Sequence, residues 1–147
     1  MYSPYQYGND DDPPFELVTV EADPQATLPL DLRERIMIHT VHDGDVIPEA
    51  YRIDPQGEPL VDAEELEKRY VKERDWGANL VAKSLASQLG VSAFSRCKIA
   101  RVLLDFNRFP GSTPPSVEDA LERLAISPPF TTALDHQQKM LLLKSYY

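Results

Sequence analysis

One histidine and two acids stand within four residues in His42-Asp43-Gly44-Asp45. A neutral imidazole nitrogen and a carboxylate oxygen form a donor set that suits zinc, and Gly44 lets the backbone turn so that His42 and Asp45 face one point. The same residues also have a purely structural use, with Asp43 and Asp45 capping a turn and His42 satisfying a backbone group. Asp75-Trp76-Gly77-Ala78 adds another acid, either to a site or as the plain N-cap of a helix with Trp76 packed beside it. Asn107-Arg108 has the chemistry of a carboxylate clamp, because a guanidinium fork makes two parallel bonds to a carboxylate and the adjacent amide adds a donor. Asp105 is placed to orient Arg108 or Arg101, or else acid and arginine form a buried pair that ties a loop. His39, three residues before His42, points to the other face of a strand and reads as structural. Cys97 reads as a small buried residue and His136 as a surface residue on an amphipathic helix.

The elements that must position these groups are legible in the hydrophobic pattern. Ile36-Met37-Ile38-His39-Thr40-Val41 is a near-continuous apolar run that predicts a buried strand feeding the His42 loop. Asp62, three before Glu65, predicts a capped helix over about 63–73. A second helix follows from Asp75, with Leu80, Val81, Leu85 and Leu89 as the stripe that covers a sheet and Gly90 as its stop. Val91 to Phe94 and Ile99 to Leu104 both read as strands, the latter central and ending in Asp105-Phe106-Asn107-Arg108. Strand, helix, strand in this order predicts an α/β fold with sites at the carboxyl ends of strands, where both polar clusters lie. A short helix near 117–124 and a final helix from Thr132 to the last residue complete the pattern. The last helix carries Met140 to Leu143, Tyr146 and Tyr147 with nothing obvious to bury them, so the chain reads as cut short.

The 147 residues contain 24 acids and 15 bases. Residues 1–32 hold seven of the acids and no base, with five of the 13 prolines, and read as an acidic, Pro- and Tyr-rich flexible arm over about 1–30, with Phe15 to Val20 a short strand where order begins. Residues 31–147 form the domain. The nearly balanced body carries no basic stripe, which disfavours nucleic acid. No run approaches the roughly 20 apolar residues of a membrane helix, and the first residues lack a signal-peptide pattern, so a soluble cytoplasmic protein is expected. A lone Cys97 excludes a cystine scaffold and a thiolate metal site.

Three segments over about Ile36 to Gly111 together resemble the N-formylglutamate amidohydrolase family. His42-Asp43-Gly44 with Ile47-Pro48 is similar to its His-x-Gly loop, Asp75-Trp76-Gly77-Ala78 to its Asp-x-Gly-Ala helix start, and Arg101 to Arg108 to its Ser-Arg-…-Asp-Leu-Asn-Arg strand end, with Ala100 in place of the serine. The resemblance implies a phosphorylase/hydrolase-like α/β fold, similar to that of zinc carboxypeptidases and aspartoacylases, in which a mixed sheet is flanked by helices. It also implies that the chain is an N-terminal half, because the family's chains are nearly twice as long. By resemblance His42 is a ligand of zinc or another divalent metal, with Asp45 or Asp75 as the second. Asn107 and Arg108 are by the same resemblance the catalytic clamp on the substrate carboxylate, supported by Arg101 and Asp105. A further histidine ligand and the catalytic carboxylate are expected beyond the present end.

Two functions follow as expectations. The first is a metal-dependent amidohydrolase cleaving a small-molecule N-acyl amino acid such as N-formylglutamate, completed by a missing C-terminal half or a second chain. The second is a non-catalytic family member that binds a carboxylate ligand or a partner chain.

Overall fold

The computed structural model describes residues 13–108, 124–126 and 128–147. Three short strands form one mixed sheet: β1 (Phe15–Thr19), β2 (His39–Thr40) and β3 (Ala93–Cys97), in the order β1-β3-β2. β3 is the centre, antiparallel to β1 with Phe15 opposite Cys97, and parallel to β2 with His39 opposite Ser95. The helices are α1 (Leu30–Arg33), α2 (Ala63–Glu73), α3 (Ala78–Leu89), α4 (Phe130–Ala133) and α5 (His136–Tyr146). The chain is therefore mixed α/β with a small mixed sheet. Among the described residues no helix is long and apolar enough to cross a membrane.

Side chains alternate across β3, which divides the core in two. Phe94 joins Val20, Ala82, Ala86 and Val91 beneath α3, and Cys97 joins a larger core built from Ile47, Tyr70, Ile99, Leu103, Leu104, Phe130 and Leu142. α2 forms where its capping signal places it, with the Asp62 carboxylate accepting from Glu65 N–H at 2.9 Å and Leu66 and Tyr70, one turn apart, buried on the core side.

The expected stripe of α3 is corrected. Its buried residues are Ala82 and Ala86, while Leu80 is 74% and Val81 68% exposed and Leu85 is also exposed. Small side chains let the helix axis come close to the sheet; Leu80, Val81 and Leu85 are turned to the outer face, and of the expected stripe Leu89 packs against the core. Gly90 ends α3 in the left-handed region at φ 73°, as its position predicts.

The run from Ile99 to Leu104 is not the expected central strand. Ile99 makes one parallel bridge to Val46, and Leu103 and Leu104 N–H then both bond to Ala100 C=O in a tight turn. The run is apolar because it is buried, and a short buried run does not distinguish strand from turn. Likewise, only His39–Thr40 of the expected strand over Ile36 to Val41 pairs with β3, and Met37 is 82% exposed. Phe15–Thr19 agrees with the expected first strand, and the strand expected at Val91 to Phe94 lies two residues later, at Ala93–Cys97.

The expected final helix is two helices, because Asp135 accepts from Gln138 N–H and Gln138 returns a bond to Asp135 N–H, so that a new helix starts there. Its apolar end is partly covered: Leu142 and Tyr146 are buried, and Met140, Leu141 and Tyr147 are exposed. Residues 117–123 of the expected short helix lie outside the described residues, and Leu124 sits in a bridge.

Candidate functional site

The His42 loop is an excursion from the parallel ladder. Thr40 pairs with Arg96 and Val46 with Ile99, so five residues on one side span what two span on the other. Asp45 and Val46 N–H both bond to Lys98 C=O, at 3.0 and 2.9 Å, and close the excursion. Gly44 lies against this closure: a Cβ there would stand 2.2 Å from Ile99 C=O oxygen. Only glycine fits at so close a backbone approach.

His42 is buried between two carboxylates. Its Nε2 lies 2.8 Å from Asp105 Oδ1 and its Nδ1 3.1 Å from Asp75 Oδ2. Arg101 closes the circuit, with Nε donating to Asp105 Oδ2 at 3.1 Å and Nη1 reaching Asp75 Oδ1 at 3.4 Å and Glu73 C=O at 3.1 Å. His42, Asp75, Arg101 and Asp105 thus form a closed ring of alternating charge and hydrogen bonding. Asp105 also receives Asn107 N–H at 2.9 Å and forms an ion pair with Arg108, whose Nε lies 3.0 Å from Oδ2. Burial by itself would raise the Asp105 carboxyl. The hydrogen bond from His42, the Asn107 N–H and the charges of His42 and Arg101 outweigh it and hold the group well below the usual carboxylate range.

Asp105 accepts from His42 Nε2, and Nδ1 on the other side of the ring faces Asp75. An imidazole lone pair and a carboxylate oxygen 3.1 Å apart need a proton or a cation between them. Two donors each about 2.1 Å from a tetrahedral zinc stand about 3.4 Å apart, close to the separation observed. A ligating histidine also normally donates its other N–H to a carboxylate, as His42 does to Asp105. Asp75 has the access that an incoming ion requires, its side chain being 54% exposed. Among the described residues, no group of three or more histidine, cysteine and acidic side chains is assembled for a metal.

Of the expected site residues, His42, Asp75, Arg101, Asp105, Asn107 and Arg108 come together. Asp45 does not join them: no hydrogen bond links it to His42, and its buried Oδ1 has no partner among the described residues. Asp75 is not the helix cap. α3 begins after Gly77, in the left-handed region at φ 84°, and its Asn79 N–H is capped from the other loop by Asp43 Oδ2 at 2.9 Å. Arg108 Nη1 and Nη2 and the Asn107 side-chain amide have no partner among the described residues, while Tyr147 O–H holds Arg108 C=O at 2.5 Å. His39 is exposed and lies against Phe15, and His136 opens α5 on the surface. Cys97 is buried, with its thiol pushed up to about 12 by desolvation.

A second polar cluster escaped the sequence reading. Arg74 Nε donates to Asp43 Oδ1 at 2.7 Å and its Nη2 to Asp43 C=O at 3.2 Å. The guanidinium lies 4.5 Å from the Trp76 ring centre, and Nη1 bonds to Tyr70 O–H. Burial lowers the Arg74 pKa, and the hydrogen bond to Asp43 together with the charges of Tyr70, Asp43 and Asp45 more than restores it. Nothing in local spacing links residues 31 positions apart; the only signal is that each adjoins a residue of the ring.

No family model matches the chain, and no curated protein or solved structure does either.

Proposed function

We propose that the chain provides the metal and carboxylate-binding part of a metal-dependent amidohydrolase of phosphorylase/hydrolase-like fold, acting on an N-acyl amino acid such as N-formylglutamate. The observation that carries this reading is His42 itself: Nε2 is given to an ionised carboxylate, and Nδ1 and the half-exposed Asp75 are spaced as two donors to one cation. When bound, zinc supplies Lewis acidity that polarises an amide carbonyl and acidifies water. Asp105 orients the His42 ring and raises its basicity through the Nε2 bond. Arg101 braces Asp75 and Asp105 from behind, anchored on Glu73 C=O. Arg108, paired at Nε with Asp105, has two terminal nitrogens without a partner among the described residues for a bidentate grip on the substrate carboxylate, and the Asn107 amide adds a donor beside it. The reading requires a third metal ligand and a general base that the described residues do not supply.

A second reading has an observation in its favour. The ends of Asn107 and Arg108, which have no partner among the described residues, suit a carboxylate ligand with no metal present, and the His42 Nδ1 to Asp75 contact is equally satisfied by a proton. On that reading the chain is a non-catalytic carboxylate-binding module. Hydrolysis of N-formylglutamate with and without added zinc separates them. Zinc-dependent release of formate supports the enzyme. Saturable binding of N-formylglutamate that neither needs zinc nor leads to turnover supports the module.

A further inference from the structure

We propose that Asp43 and Arg74 are the positioning pair of this site, setting His42 against Asp75. The inference rests on the reading of His42 and Asp75 as donors to one cation, and concerns how they are held. Two neighbouring residues of one loop face two neighbouring residues of another. His42 meets Asp75 twice, through the ring and through Asp75 N–H, which donates to His42 C=O at 3.0 Å. Asp43 meets Arg74 twice as well, through its carboxylate and its carbonyl.

The contacts on Asp43 leave little freedom to slide. Arg74 grips it from one side, and Asn79 from the other, with N–H on Oδ2 at 2.9 Å and the side-chain amide on Asp43 C=O at 3.3 Å. Thr40, at the end of β2, donates to Asn79 Oδ1 at 2.6 Å and ties that side to the sheet. The guanidinium carbon lies 4.5 and 5.5 Å from the Trp76 and Tyr70 ring centres, and the two rings meet each other edge to face at 5.8 Å. The Asp43 side chain is 5% exposed, so its charge is compensated by the protein and not by water. Asp75, by contrast, projects half into solvent; Arg101 Nη1 reaches its Oδ1 at 3.4 Å, and its backbone adjoins the Arg74 that grips Asp43. Arg74 touches neither the His42 ring nor the Asp75 carboxylate, so it positions without taking part in chemistry. Lysine cannot replace it, because a point charge does not make the two-atom grip.

Amide exchange and zinc titration on D43N, R74Q and the conservative R74K test the pair. Asp75 N–H should exchange about tenfold faster or more in all three, while Ser95 N–H, bonded to Ile38 C=O in the sheet at 2.9 Å, keeps its protection. Zinc affinity should fall by about tenfold in parallel, the scale expected for a lost supporting contact. Unchanged Asp75 exchange in R74K and R74Q overturns the proposal whatever zinc does, and so does weakened zinc binding with Asp75 protection intact. Faster Asp75 exchange in a protein whose wild type binds no zinc sustains the pair and overturns the metal reading. A variant that also loses Ser95 protection has unfolded generally, and R74K, which keeps the charge, then carries the decision.

Discussion

The two polar loops of the site are built on opposite plans. In the loop at 42–45, His42, Asp43 and Gly44 are buried, and the polar atoms of His42 and Asp43 are met by other parts of the chain. In the loop at 105–108 only Asp105 is buried; Asn107 is exposed, and Arg108 presents two nitrogens with no partner among the described residues. The first loop holds a geometry and the second offers donors to something that arrives. Changes to the first should therefore appear in stability, and changes to the second in binding and turnover.

The sharpest break is Gly44→Ala. Its Cβ would lie 2.2 Å from Ile99 oxygen and 2.7 Å from Ile99 and Lys98 carbonyl carbons, all backbone, so the excursion and the ladder cannot both keep their places. A loss of about 3 kcal/mol or more is expected, read as a Tm fall of roughly 10 °C. Survival of the wild-type Tm would show that the loop is adaptable after all.

Asp105→Asn comes next and tests the hinge between the loops, since Asp105 serves both. Removing one partner from a buried, multiply bonded charge costs about 3 kcal/mol, seen in denaturant midpoints at neutral pH. Its pH dependence has a definite sign. The folded carboxyl is held below its ordinary value of 3.8, so its contribution is complete above that value and is lost as pH falls below it, where the unfolded chain takes up the proton first. The gap between wild type and Asp105→Asn should therefore be full at pH 6 and narrow below about pH 4. A gap that widens on acidification would contradict the ionised Asp105.

Arg108→Ala should sharpen the contrast from the other side. Stability changes by less than about 1 kcal/mol, because Arg108 is about a third exposed and buried Asp105 keeps its bonds to His42, Arg101 and Asn107 N–H, while kcat/KM on an N-acyl amino acid falls by about a hundredfold or more. Arg108→Lys should not restore it. The smallest effect expected is Lys68→Ala, which removes an exposed pair with Glu64 on α2, 2.7 Å long, and shifts stability by less than about 0.5 kcal/mol.

The same division explains what the sequence made legible. α2 was readable to the residue because Asp62 and Glu65 state its start locally and Leu66 and Tyr70 repeat at helical spacing. The presence of His42, Asp75, Asp105 and Arg108 in one place was readable as residue types, although only the fold brings chain segments 63 positions apart to 2.8 Å. Asp45 is the candidate left apart: its spacing from His42 suggests a shared point, but its N–H closes the excursion on Lys98 and its buried Oδ1 makes no hydrogen bond among the described residues. The run Ile99 to Leu104 misled for the opposite reason, since burial makes a turn as apolar as a strand. The Asp43 to Arg74 pair had no local signal, because ion pairs between loops carry no period.

The central claim is that His42 Nδ1 and Asp75 are donors to a cation, and zinc titration of wild type and His42→Ala tests it most directly. Trp76, the one tryptophan of the chain, adjoins Asp75 and supplies a fluorescence signal, with stoichiometry checked by equilibrium dialysis. The account predicts saturable binding of one zinc per chain in the wild type, with His42→Ala reduced to background. Zinc retained at wild-type stoichiometry and affinity in His42→Ala, or no binding in the wild type, would contradict it.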